Sequence, residues 1–148
     1  MSVVEVADPE ERSRLCEHVL RDLPEWFGIE EATAAYIRDV AGLPTFAVGG
    51  DGLLSLKLHT PNAAELYVMG VRRERHGQGL GTALVAAAEE YLRARGCEYL
   101  QVKTLGPSHP DAGYARTRAF YGSRGFVAPE ELHGLWEGNP CLLMVKRL

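Results

Sequence analysis

The chain has 148 residues, enough for one domain with a real hydrophobic core. Apolar residues make up 46% and charged residues 24%, and a formal net charge of −4 leaves no basic footprint for nucleic acid. Three scattered cysteines, Cys16, Cys97 and Cys141, offer neither a disulfide framework nor a CxxC metal knuckle, and no apolar run approaches the roughly 18 residues of a membrane span.

The opening MSVVEVADPEER lacks the charged-then-apolar layout of a signal peptide, so a cytoplasmic location without membrane partners is expected. Val3, Val4 and Val6 predict a short first strand. Asp8-Pro9-Glu10-Glu11 reads as a helix start, with Asp8 as N-cap and Pro9 at the first helical position. Leu15, Val19 and Leu23 give that helix an apolar stripe, and Pro24 is expected to stop it. A linker carrying Trp26 and Phe27 leads to a second short helix marked by Ala32, Ala35, Tyr36 and Val40, ending near Gly42.

From residue 45 the period changes to two. Residues 45–49 and 53–59 read as strands joined by Gly50-Asp51-Gly52, a hairpin signal, with Leu54, Leu56 and Leu58 facing a core and the alternate face partly wet. Residues 65–71 form a third strand of this antiparallel meander. Simple alternation places Glu65 on one face with Tyr67, Met69 and Val71, and Gly70 points to a bulge or to close approach of a ligand. A helix over 80–95 buries Leu80, Leu84, Ala87, Ala88 and Tyr91, pairs Glu89 with Arg93, and stops at Gly96. Residues 99–104 predict a strand, 111–123 a helix, 125–128 a strand, and 141–146 a closing strand. No repeat, low-complexity tract or second-domain linker interrupts residues 1–148, so a single domain is expected.

The stretch HGQGLGT, residues 76–82, places three glycines in five positions at the start of a helix, although glycine costs a helix roughly 1 kcal/mol relative to alanine. Glycines between a strand and a helix let backbone N–H groups converge on an anion at the positive end of the helix dipole. Gly77, Gly79 and Gly81 suit that geometry, with His76, Gln78, Leu80 and Thr82 in the same turn and Arg72, Arg73 and Arg75 beside it. A P-loop would need a Lys-Ser or Lys-Thr pair after the glycines, and a Rossmann loop would need GxGxxG within parallel βαβ units; neither is present. A plain strand-to-helix turn without a ligand is the alternative.

The stretch resembles the pyrophosphate loop [RQ]-x-x-G-x-[GA] of the GNAT superfamily of acyl-CoA-dependent N-acetyltransferases. Gly79 and Gly81 fall on its ending, and His76 stands where the family has Arg or Gln. A second stretch, TRAFYGSRGF at 117–126, resembles the family's A-x-x-F-Y-x-x-x-G-F, with Tyr121 on its tyrosine and Gly125-Phe126 on its Gly-Phe. Tyr114 occupies the position where the family often has an asparagine. The resemblance implies an α+β layered fold, with a mixed, mostly antiparallel sheet of six to seven strands flanked by helices. It also implies acetyl-CoA as co-substrate, held by Met69, Val71, His76, Gly77, Gln78, Gly79, Leu80, Gly81, Thr82 and Tyr121.

Acyl transfer from a thioester to an amine requires an anchored cofactor, donors for the developing oxyanion, and managed protons. An alkyl amine with a pKa near 10.4 must lose a proton, and a thiolate with a pKa near 8.5 leaves better when protonated. The resemblance implies Tyr121 as general acid; a tyrosine packing the sheet edge is the alternative. Glu65 is the candidate base, against an exposed or ion-paired strand residue, with His59 and His109 as further candidates. Residues 67–71 are the candidate oxyanion donors. Trp26, Phe27 and Tyr67 are candidate acceptor-pocket residues, whereas Tyr36 reads as core and Lys103 is unassigned. No spacing among the five histidines suggests a metal site. The expected partner is a small-molecule or peptide amine, with the chain a monomer or homodimer; a non-catalytic acyl-CoA-binding regulatory module is the second reading.

Overall fold

The computed structural model of the chain describes residues 2–148. Its elements run β1 (Val4–Glu5), α1 (Pro9–Leu20), α2 (Glu30–Asp39), β2 (Thr45–Val48), β3 (Gly52–Leu58), β4 (Ala63–Val71), α3 (Leu80–Ala94), β5 (Tyr99–Leu105), α4 (Ala112–Ser123), β6 (Val127–Trp136) and β7 (Asn139–Arg147). Punctuation residues set most of these limits. The Asp8 carboxylate caps α1 by accepting from the Glu11 N–H at 3.0 Å, with Pro9 at the first helical position, and Asp111 caps α4 through the Tyr114 N–H. Pro24 does not terminate α1; the helix ends at Leu20, and hydrogen-bonded turns from Leu20 and Leu23 lead the chain across the sheet.

The seven strands form one sheet in the order β1-β2-β3-β4-β5-β7-β6, with β4 and β5 its only parallel pair among the described residues. Alternation divides the core between two faces. Leu54, Leu56, Ala64, Leu66, Leu100, Val102 and Met144 pack beneath α3 and α4, whereas Leu53 and Val68 pack against Cys16, Val19 and Leu20 of α1. The alternate face of β3 is covered at Leu53 and Ser55 and wet at Lys57 and His59, as expected. Leu58, expected to face the core, is instead 52% exposed beyond the end of the packed layer. Ser55 is fully buried, and its hydroxyl meets the Thr45 hydroxyl at 2.7 Å.

Two expectations for β4 are corrected. Its bulge lies at Tyr67 and not at Gly70: Leu66 pairs with Leu56, and Val68 with the next β3 residue, Ser55, leaving Tyr67 as the extra residue. The extra residue reverses the alternation, so Glu65 and Tyr67 face the α1–α2 side while Met69 and Val71 pack beneath α3. Gly70 answers to the protein's own packing. A Cβ there would lie 2.9 Å from Val19 Cγ1 and 3.3 Å from Leu23 Cδ1, so α1 needs the space. Strand β6 runs far past residue 128, to Trp136, where it turns through Gly138 into β7. Among the described residues, no helix is long and apolar enough to cross a membrane.

Candidate active site

The glycine turn has the geometry of an anion seat. Gly77 and Gly79 take φ of 75° and 85°, in the left-handed region, and Gly79 is the N-cap of α3 with no side chain capping it. No N–H of residues 77–82 donates to the rest of the chain among the described residues, so the turn keeps its donors at the positive end of a 15-residue helix. Gly81 has a packing reason as well, because a Cβ would stand 3.3 Å from the Phe120 ring of α4.

The flanking arginines brace this turn. Asp51, in the β2–β3 hairpin, holds Arg72 Nη1 at 3.3 Å and Arg75 Nη1 at 2.5 Å, and Arg75 Nε donates to Gln78 Oε1 at 2.9 Å. Arg73 pairs with Glu25. The His76 imidazole donates from Nε2 to the Val71 carbonyl at 2.6 Å and meets the Trp26 ring edge-on.

From this turn a gap runs into the sheet. Strands β4 and β5 pair only from Ala63 with Tyr99 to Leu66 with Val102; beyond that vertex they part. The Arg72 N–H donates toward β3, to the Asp51 carbonyl, so by backbone alternation the N–H and C=O groups of Val71 and Met69 face the gap. Opposite them, Arg118 of α4 donates to the Leu105 carbonyl on the β5 edge. The gap is roofed at the glycine end, where the Tyr114 hydroxyl donates to the Trp26 carbonyl at 2.8 Å and ties α4 to the α1–α2 loop.

Tyr121 lies on the α3–α4 side of this gap, 5% exposed, between the rings of Phe120 and Phe126. Burial, reinforced by Tyr114 and Tyr36, raises its pKa, so the phenol keeps its proton well above neutral pH. Burial pushes Tyr114 up to about 12 as well. Tyr36, across the gap on α2, is raised chiefly by burial and then by Glu65.

Glu65 lies on the opposite face at the vertex, 7% exposed. Its Oε1 is 2.7 Å from His59 Nε2 and 3.4 Å from Lys103 Nζ. Beside it the Tyr67 hydroxyl donates to Asp39 Oδ2 at 2.6 Å, and burial followed by Asp39 raises the phenol's pKa. Phe27, Tyr36 and Tyr67 stack edge to face as a wall. The structure thus brings Glu65, Tyr67 and Phe27 to one side of the gap and Tyr121 to the other, with Trp26 over its glycine end. His109 takes no part in either cluster. Sequence reasoning missed Asp39, Lys103, Asp51 and the place of Tyr36 beside Glu65. No local pattern marks them, since each acquires its partner from a distant strand or helix. Tyr114 did carry a signal, because it fills the family's asparagine position.

A mixed sheet with one parallel pair among the described residues, parting beside a glycine-rich helix start, is a fold shared with solved acetyltransferases. Residues 8–126 match the acetyltransferase (GNAT) family, and the chain belongs to that family of enzymes. Over 88 residues, 57% of the chain and 27% of the relative, it is 41% identical to the mycothiol acetyltransferase of Beutenbergia cavernae. The chain spans about a quarter of the length of the curated relatives it matches. A GNAT-family acetyltransferase structure from Desulfovibrio desulfuricans shares the fold with a TM-score of 0.81 at 20% identity, over 99% of this chain and 98% of that one. The PaiA N-acetyltransferase of Thermoplasma acidophilum, solved with coenzyme A, has a TM-score of 0.72 at 18% identity over 100% of both chains.

Proposed function

We propose that the chain moves an acetyl group from acetyl-CoA to the primary amine of a small-molecule or peptide acceptor by direct attack. The observation that supports this reading is the parting of β4 and β5 beyond Leu66 and Val102 beside the glycine turn, with Tyr121 on the α3–α4 face of the sheet and Glu65 at the vertex on the other. An acyl-CoA thioester supplies the activated acyl group, and two left-handed glycines with unspent amide donors suit its diphosphate.

Residues 77–82 seat the phosphates, and the gap-facing backbone of Met69 and Val71 aligns the arm that follows. The Met69 and Val71 amide donors, within the run 67–71 and turned toward the gap, stabilise negative charge developing on the acyl oxygen. Glu65 takes the proton of the incoming amine, directly or through water. Tyr121, protonated at neutral pH, gives its hydroxyl proton to the departing thiolate and recovers one from solvent.

Thiol release from acetyl-CoA over a panel of amines tests the reading. Amine-dependent release with matching N-acetyl product by mass spectrometry is expected. Binding of acetyl-CoA without transfer to any amine would favour a non-catalytic module.

A further inference from the structure

The carboxylates facing the vertex of β4 and β5 already have hydrogen-bond or ion-pair partners inside the protein. Glu65 has His59 and Lys103 on the same oxygen, and Asp39 accepts from the Tyr67 hydroxyl and from Arg38 Nε at 3.2 Å. Cationic character is left over. Lys57 Nζ sits 5.4 Å from the centre of the Tyr67 ring, and Lys103 makes one long contact, so two of its three ammonium hydrogens are unengaged. A polycationic acceptor arriving at the vertex meets Lys57 and Lys103 beside carboxylates that already have partners, an arrangement that disfavours it. Glu130, a further carboxylate on this face of the sheet, stands on β6, two strands from Lys103 across Leu143 and therefore about 10 Å away by strand spacing.

Lys103 also occupies a particular place. It is the first β5 residue beyond the last pair with β4, Leu66 with Val102, and its side chain is 31% exposed beside the buried Glu65. We propose that Lys103 selects the acceptor, a small amine carrying its own anionic oxygen group, a carboxylate or a phosphate, a few bonds from its nitrogen. The nitrogen approaches Glu65 while the anionic group lies on the Lys103 ammonium, and the wall of Phe27, Tyr36 and Tyr67 limits acceptor size. This rests on the acetyl-transfer reading above.

The test measures thiol release with matched acceptors that differ in the anionic group: β-alanine against β-alaninamide, and phosphoethanolamine against ethanolamine, with spermidine as the polycation. At least one anionic member is expected to exceed its neutral partner about tenfold or more in kcat/KM. K103M removes that preference chiefly through KM, K103R keeps it, and spermidine is a poor acceptor. The pair that shows the preference distinguishes carboxylate from phosphate. Equal use of both members of each pair, preference for spermidine, or an unchanged ratio in K103M overturns the proposal. The ratio is taken within one protein, so reduced folding of K103M does not mimic the result, and K103Q repeats the comparison. If acetyl-CoA raises the melting temperature but no member of the panel is acetylated, the acceptor class is wrong and the cofactor reading stands. If acetyl-CoA does not bind, the underlying reading fails instead.

Discussion

Tyr121 is a core residue to which the proposed transfer also assigns chemistry. Its ring is packed by Phe120 and Phe126, while its hydroxyl has no partner among the described residues. Replacing it with phenylalanine preserves the packing and removes only the proton. Y121F is expected to lower kcat by about 10² to 10⁴ with acetyl-CoA affinity nearly unchanged, measured by steady-state kinetics and calorimetry. Loss of binding instead would make the tyrosine a cofactor contact. The buried phenols also give an alkaline signature. Tyr36, Tyr67, Tyr114 and Tyr121 are all raised by burial, whereas the unfolded chain ionises near pH 10. Their stabilising contribution is full below about pH 10 and is lost as pH climbs through the folded values. Melting curves between about pH 9 and pH 12 should show the decline, less steep in Y114F. A flat profile would show that these hydroxyls are hydrated in the native state.

Among the elements, the glycine turn was the most legible in the sequence and the last hairpin the least. Gly77 and Gly79 appear in the chain only because the backbone there turns left-handed, so composition reveals conformation directly. Putting valine at Gly79 forces a β-branched residue to φ of 85°, which strains the turn by about 1–3 kcal/mol and crowds the amide donors. G79V is expected to abolish acetyl-CoA binding in calorimetry while the circular dichroism spectrum stays folded; unchanged affinity would place the phosphates elsewhere. Strand β6 has the opposite character. It is an edge strand, mostly exposed, with Pro129 inside it and an irregular register against β7, so no alternation of apolar and polar residues marks it. Lys103 and Asp39 were illegible for a different reason. A single side chain on a strand or helix reveals nothing about which distant carboxylate or phenol it will meet.

The molecule as a whole is a sheet covered by α3 and α4 on one face and partly by α1 and α2 on the other, with the gap of β4 and β5 opening between them. A ligand that fills this gap binds only the folded state. Acetyl-CoA at about 100 times its dissociation constant should add roughly 2.7 kcal/mol, or about 5–10 °C in melting temperature for a domain of this size. A scan showing no shift at saturation would dismiss the gap as a cofactor site.

The supernumerary residue at Tyr67 governs which layer receives each half of β4. Because the glycine turn and α3 fix the downstream half, removing that one position would rotate the upstream half by a full pleat. The Glu65 carboxylate would then project among the leucines under α3, far from His59 and Lys103, and Leu66 would be turned out toward α2. One additional peptide unit thus decides whether the same glutamate meets His59 and Lys103 or becomes a buried defect.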